Sequence, residues 1–371
     1  MYIPNVTTAD MLSGIESLKV SPGEVVMLLI CEKSEPNIPE LIAHLNEKPV
    51  VYFGAIFPGV IYGKKSYETG AIIVKFRAVQ TPITISEIAA NKFDGLNEVS
   101  SKGYTTAIVL VDGLSNHNYK LLEQLNNALG EHCDFIGAGA GFMDLNRVPC
   151  VFSNEGFFQD AAVVCIIKNE VKLGVRHGWM AMEGPLVATK VEGNVLYRLN
   201  WAAADHVYRQ IVEKACGIPL SKENFMSISQ GYPLGIVREM QDDIVRDPIS
   251  IGAEGEIFFI GDIPPNAVLH VLKGDPDNLL SAARQAMVDC GADNNHPINA
   301  EFTFVVDCVT RAFYLNERFD EELELVHQAL HITRPAQEPF GVLSLGEISS
   351  NGGGVLELFN KTIVIGAFMP E

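Results

Sequence analysis

Apolar residues recur along this chain in two alternating rhythms. Short β-branched runs at 25–30, 50–53, 71–76 and 106–111 predict strands, the last a continuous apolar run of the kind covered on both faces. Stretches with apolar residues three and four apart predict helices. These are 39–47, with Leu41, Ile42 and Leu45 on one side, 86–93, and a helix carrying Leu121, Leu122, Leu125 and Leu129 that closes at Gly130. A strand at 135–141 follows. Two apolar runs joined around Lys168, Asn169 and Glu170 then predict an antiparallel hairpin. Farther on, 233–237, 248–251, 256–260 and 267–272 have the spacing of a strand meander. A helix at 277–290, a strand at 302–307, a helix at 320–331, a strand at 340–345 and a closing strand at 362–368 complete the pattern.

The order strand–helix–strand–hairpin over 100–168 comes again over 300–368, and an Asp closes the central strand each time, Asp112 and Asp307. This predicts an α/β (α+β) fold with mixed, largely antiparallel sheets, built as two tandem related α/β units, 1–195 and 196–371. Strand–helix–strand runs are common, so a chance correspondence is the alternative to two related units. Residues 200–216 predict a central helix capped by Asn200. Trp201, Ala204, Val207, Tyr208, Ile211 and Ala215 form its apolar face, and Asp205 and Arg209 pair on the other. Such a helix would join the units rigidly and give a cleft between them a set shape.

Charge and cysteine content narrow the setting. With 46 acidic against 27 basic side chains, the formal charge of −19 disfavours nucleic acid, whose phosphates need a basic footprint, and anionic membrane surfaces as well. The amino terminus has no basic region leading into an apolar core, and the longest apolar run, 25–31, is too short to span a bilayer. A cytoplasmic placement is expected. Seven cysteines, an odd number with no Cys-x-x-Cys spacing, argue against a disulfide framework or a thiolate zinc site.

Four segments carry more specific information. The first is Gly174-Val175-Arg176-His177-Gly178-Trp179, followed by Glu192 to Tyr197. The second is the stretch from Trp201 to Gln210. The third is Cys308-Val309-Thr310-Arg311 with the acids Glu321 and Glu322 after it. The fourth is Gly346-Glu347-Ile348 with Asn360-Lys361-Thr362 before the last strand. In order and separation, over roughly 130–368, these resemble the FIST family, in its bacterial stand-alone sensor form. The resemblance implies a FIST N-terminal and a FIST C-terminal unit in tandem. It further implies small-molecule sensing, with the signal passed to a protein such as a histidine kinase or a cyclic-nucleotide enzyme. One bacterial branch binds haem and responds to nitric oxide. A eukaryotic branch places the pair after an F-box, whereas this chain opens on its first strand region. Phe142, Lys361 and the pair Asn200-Trp201 depart from the family pattern and leave the ligand open.

Among single residues, His177 leads. Gly178 allows close approach, Trp179 offers an apolar wall, and Arg176 offers a fork for a carboxylate or phosphate. A neutral imidazole here could ligate haem iron, making His177 the metal ligand if haem binds; otherwise it ends a strand and bonds a carbonyl. Arg311 and Glu347 are either ligand-binding groups or a structural ion pair. Asn360 and Thr362 either donate to a ligand or form an ordinary turn. Cys308 is a nucleophile with Arg311 beside it and His177 or His327 as base, or a small buried residue. The enzyme reading rests on Cys308 or Glu347, and no catalytic motif is specific enough to prefer it. A scaffold with a vestigial pocket is the remaining alternative. The glycines of 137–141 lack the spacing and following helix of a dinucleotide site, and Ser350 to Gly354 lacks the Lys-Ser/Thr of a phosphate loop. His327 and His331 have i,i+4 spacing without a metalloprotease Glu, and an exposed helix face is the simpler reading. The ligand site is expected in a cleft between the units, lined by His177, Arg311 and Glu347.

Overall fold

The computed structural model describes residues 1–90, 93, 105–115, 117–129, 133–239, 241–291, 300–331, 338–350 and 356–370. Gly130, the tip at 351–354 and positions 91 and 92 of the expected 86–93 helix lie outside them; at the start of that stretch Ser86 ends a strand and Ile88–Ala90 forms a single 3-10 turn, so the helix is not formed there.

One strand–helix–strand–hairpin–strand pattern occurs three times. The first copy runs β1 (Tyr2–Ile3), α1 (Thr8–Ser17), β2 (Glu24–Cys31), α2 (Ile38–Asn46), β3 (Val51–Phe57), hairpin β4 (Gly59–Tyr62) and β5 (Lys65–Tyr67), and β6 (Ala71–Arg77). The second runs β7 (Ile83–Ser86), β8 (Thr105–Asp112), α3 (Asn118–Leu129), β9 (Cys133–Ala140), hairpin β10 (Val151–Ser153) and β11 (Gly156–Phe158), and β12 (Ala161–Ile167). The third opens with β13 (Val171–Arg176). An insertion follows: β14 (Met180–Glu192), β15 (Val195–Leu199), β16 (Ala202–Ala203), α4 (Ala204–Cys216), α5 (Phe225–Ser229), β17 (Leu234–Ile236), β18 (Ile244–Ile251), β19 (Ile257–Ile260) and β20 (Val268–Lys273). The copy then resumes with α6 (Pro276–Asp289), β21 (Phe302–Cys308), α7 (Val309–Leu315), α8 (Phe319–His331), β22 (Phe340–Ser344), hairpin β23 (Glu347–Ser350) and β24 (Leu356–Phe359), and β25 (Ile363–Phe368).

In each copy the central strand lies parallel to the next strand and antiparallel to the last: β2 with β3 and β6, β8 with β9 and β12, β21 with β22 and β25. The correspondence between 100–168 and 300–368 is therefore present as topology, and 24–77 supplies a third member. The hairpins are exchanged in a ring. β4 pairs with β22 of the third copy, β23 with β9 of the second, and β10 with β3 of the first. Each sheet thus borrows its far edge from another copy, which ties the three copies together.

Alternation along the central strands explains the layers. Val25, Met27 and Leu29 join Ile108, Leu110, Phe304 and Val306 in one inner core, where the three sheets face each other. Val26, Leu28 and Ile30 face outward against α1 and α2, Val109 and Val111 against α3, and Val305 against α6 and α8. Both faces of these strands are covered, so they read as unbroken apolar runs. Gly137 in β9 lies so close to β8 that a Cβ there would meet the Val109 carbonyl at 2.1 Å, a packing need that accounts for part of the glycine-rich stretch.

The insertion is a closed barrel. β14 bends so that its first half pairs with β20 and its second half with β15, closing the ring β14–β20–β17–β18–β19–β15. The division at 195/196 falls at the start of β15, inside this barrel. α4, the helix between the two halves of the chain, packs on β15 and β16 and contributes Tyr208 and Val212 to the core.

Two expectations need correction. The runs flanking Lys168–Glu170 are not a hairpin: β12 lies between β8 and β7, while β13 pairs with β25 of another sheet. Buried Asn169 fastens the crossing, its side-chain amide donating to Glu301 and to the Met369 carbonyl, each at 2.9 Å. The central helix begins at Ala204 rather than at an Asn200 cap. Asn200 and Trp201 both have left-handed φ, 47° and 65°, in the turn after β15, and Trp201 is 75% exposed instead of lying on the apolar face. The expected Asp205–Arg209 pair forms at 3.3 Å.

Candidate functional site

The sheet β13–β25–β21–β22 brings four chain segments to one edge. β13 ends opposite the start of β25, Arg176 against Ile363, and β21 and β22 end side by side, Cys308 against Ser344. His177 and Trp179, Asp307 and Cys308, Ser344 and Glu347, and Asn360 to Thr362 therefore meet there. They come from segments up to 185 positions apart, and all of them are buried. The barrel covers this edge: Asp247 of β18 sits 3.2 Å from Lys361 Nζ.

Arg311, in the first turns of α7, is fully buried at the centre. Its guanidinium grips Glu322 of α8 in two bonds, Nε to Oε1 at 3.0 Å and Nη2 to Oε2 at 2.6 Å. It also donates to the carbonyls of His177 and, at 2.8 Å, Leu279. Its fork is occupied by the protein. Arg311 ties β13, α6, α7 and α8 together and leaves no strong donor for a ligand. Arg176 lies apart from the cluster on the partly exposed surface, where it pairs with Asp289 at 2.7 Å and Asp242 at 3.0 Å.

Charge balance governs the rest. Among the described residues, Asp247, Asp307, Glu322 and Glu347 have two cations paired or acting on them in the cluster, Arg311 and Lys361. As a carboxylate, Asp307 has no hydrogen-bond donor on either oxygen. Burial, with Glu322 beside it, raises its pKa well above the carboxylate range, which favours the protonated form of this acid. Glu347 accepts from Ser344 Oγ at 2.5 Å and the Thr362 amide at 3.2 Å, yet burial still pushes it up to about 8. Two protons thus bring the buried cluster towards neutrality, as the cost of isolated buried charge requires. Cys308 is likewise raised by burial, to about 12, and remains a thiol at neutral pH, a poor nucleophile.

His177 has a defined tautomer. Gly178, at φ 77°, turns the chain so that the Trp179 amide donates to Nδ1 at 2.9 Å. A Cβ on Gly178 would stand 2.8 Å from the Asn278 carbonyl, so the turn needs glycine. The proton then sits on Nε2, and burial depresses the imidazole pKa to about 4. Haem iron needs a free imidazole lone pair. Here Nδ1 is engaged and Nε2 presents N–H, so His177 as placed does not fit axial ligation. No other grouping of His, Cys, Asp and Glu suited to a metal ion occurs among the described residues.

Five buried atoms of the cluster lack a hydrogen-bond partner: His177 Nε2, both Asp307 oxygens, Asn360 Oδ1 and Lys361 Nζ. The Asp307 proton accounts for that residue. Lys361 Nζ is at ion-pair distance from Asp247 without hydrogen-bond geometry, and lies 5.1 Å from the centre of the Trp179 ring. Lys361 also has a left-handed backbone, φ 53°, and its carbonyl accepts from Trp179 Nε1 at 3.1 Å. Thr362 is spent locally, its hydroxyl on the Asn360 carbonyl at 2.8 Å. The expected His177, Trp179, Arg311, Glu347, Asn360 and Thr362 are thus assembled in one place, closed over by the barrel rather than lining an open cleft. Lys361, Asp307, Glu322 and Asp247 complete it. Of these, Lys361, Asp307 and Glu322 stood in stretches that the sequence singled out, and Asp247 gave no signal.

Models of the FIST N domain and the FIST C domain match residues 25–202 and 204–350, which together span most of the chain. The chain belongs to the FIST family. No curated protein matches it at a significant level. FIST domains are small-ligand sensing modules of signalling proteins, so a sensory role is the family's role. In this FIST protein the junction of the two matched regions, at 203, lies within the barrel that covers the cluster. No helix among the described residues is long and apolar enough to cross a membrane.

Proposed function

We propose that this FIST protein senses a small molecule at the β13–β25–β21–β22 edge, beneath the barrel, and passes the event to a partner signalling protein such as a histidine kinase or a cyclic-nucleotide enzyme. The observation that carries the reading is the set of buried polar atoms without a hydrogen bond on His177, Asn360 and Lys361. An unsatisfied buried polar group costs about 1–3 kcal/mol, and a ligand with complementary atoms recovers that cost. His177 Nε2–H and Lys361 Nζ are donors, Asn360 Oδ1 is an acceptor, and Trp179 supplies an apolar wall.

The barrel is the natural transmitting part. It meets the site through Asp247, whose partner is Lys361, so a ligand that engages Lys361 weakens the hold between barrel and sheet. Only such a difference in contacts between two arrangements lets a ligand shift their balance.

A rival location is a surface groove of about 480 Å³ between α6 and α8, lined by Leu280, Ser281, Arg284 and Leu325 among others. A metabolite library screened by thermal shift and followed by calorimetric titration separates the two. A ligand of the wild-type protein is expected to lose about tenfold or more in affinity, about 1.4 kcal/mol, in Asn360→Ala and Lys361→Met, with Arg284→Ala unaffected. The reverse pattern would sink the proposal.

A further inference from the structure

We propose that Lys361 captures an uncharged aldehyde or ketone covalently, as an imine on its ε-amine. The inference rests on the reading that the ligand occupies this edge of the sheet, and it names the chemistry that edge would select.

Lys361 is a fully buried lysine. Long cationic side chains normally keep their heads in water, so an ammonium held inside needs a reason. Structural pairing is an incomplete one. Arg311 makes charged bonds to a carboxylate and bonds to several carbonyls, whereas Lys361 Nζ has one carboxylate at 3.2 Å and no hydrogen bond. Its backbone is held in the left-handed region, unfavourable for a residue with a side chain, and that conformation carries the amine into the cluster. Local strain of this kind gathers where function requires a particular side-chain position. Buried, weakly solvated lysines beside a proton acceptor are the ones that act as Schiff-base nucleophiles.

The surroundings fit a carbonyl compound. Asp247 Oδ2 is near enough to take a proton from Nζ. Once neutral, the amine attacks the carbonyl carbon; a C–N bond forms and the carbonyl π pair moves to oxygen. A second proton passes from nitrogen to that oxygen. Asp247 then returns the first proton, the C–O bond breaks, and water leaves. The product is a protonated imine, so charge and atoms are conserved and no oxidant or reductant is needed. The site selects an uncharged partner because, with Asp307 and Glu347 protonated, the carboxylates of Asp247 and Glu322 already balance Arg311 and Lys361, and an anionic oxo acid would bring an uncompensated charge into the interior. The Trp179 ring, 5.1 Å from Nζ, lies against Tyr314 with ring centres 4.7 Å apart. Tyr314 is only partly buried, so this aromatic pair stands between the amine and solvent.

The test uses the full-length protein with acetaldehyde as probe, sodium cyanoborohydride to reduce the imine, and peptide mass spectrometry to locate the ethyl adducts. Melting temperature with acetaldehyde alone is measured in parallel. The expected result is an adduct at Lys361 several-fold faster than at the exposed Lys172 and Lys222, with pyruvate labelling Lys361 less than acetaldehyde does. A melting shift that is lost in Asn360→Ala but leaves no adduct on Lys361 overturns the capture and leaves the ligand site standing. Labelling at Lys361 no faster than at exposed lysines, with no melting shift, overturns the capture and counts against the site as well. Lys361→Arg keeps the charge and the ion pair while removing the nucleophile, so a folded Lys361→Arg protein must lose the fast adduct.

Discussion

Replacing Glu347 with glutamine tests the charge accounting of the buried cluster. Glutamine has the shape of the protonated acid. Its carbonyl can take the Thr362 amide that Glu347 Oε2 now accepts, and its amide can face Ser344 Oγ, which is able to reverse its bond. What the variant loses is a titrating group. Burial raises Glu347 from 4.5 to about 8, so the folded chain holds its proton where the unfolded chain releases it. A carboxyl raised in this way contributes stability that is fully present below 4.5 and is lost as pH climbs through about 8. At about 1.4 kcal/mol per unit, the whole gap amounts to about 5 kcal/mol, of which about 2 kcal/mol falls between pH 6 and pH 8. Urea unfolding followed by tryptophan fluorescence across this range gives the stability of both proteins. All other titrations are shared, so the difference isolates Glu347. Glu347→Gln is expected to match the wild type near pH 4 and to gain on it steadily up to pH 8. Parallel curves would mean that Glu347 is already ionised in the fold, and the neutral cluster would have to be abandoned.

The other predictions address neighbouring claims. Arg311→Met leaves Glu322 buried without its partner and should lower stability at neutral pH by about 3–5 kcal/mol in urea unfolding; adding Glu322→Leu should recover part of that loss. Trp201→Ala, at a side chain 75% exposed in a turn, should change stability by no more than about 0.5 kcal/mol, whereas a Trp201 on the apolar face of the helix would cost several times more. The ligand titrations and the imine-trapping experiment described above complete the set.

Much of the fold was legible in the chain. The central strands announced themselves as unbroken apolar runs, and the helices at 38–46, 118–129 and 276–289 fell within a few residues of their predicted places. The errors came where the partner of a segment is remote. Hairpins of three or four residues per strand, such as β4–β5 and β10–β11, carry too little pattern to be seen, because each is ordered by a sheet belonging to another copy. The same blindness turned β12 and β13 into a hairpin: two adjacent apolar runs look paired until each proves to have other neighbours.

The candidate site divides in the same way. Local sequence determined that His177, Glu347 and Asn360 stand at strand ends and that Arg311 follows one closely, since strand length and the polar residues after it are local properties. It also determined the left-handed turn between His177 and Trp179, which needs Gly178. Only the tertiary structure decided their roles. Arg311 became a structural tie because Glu322 and two carbonyls reached it first, and Arg176 turned to the surface to meet Asp242 and Asp289. Lys361 came to face a single carboxylate because the barrel brought Asp247 over it from more than a hundred residues away. A residue's type sets what its side chain can do. Its protonation and its spare hydrogen-bonding capacity depend on what surrounds it once water is excluded, and that is set by contacts the linear sequence does not display.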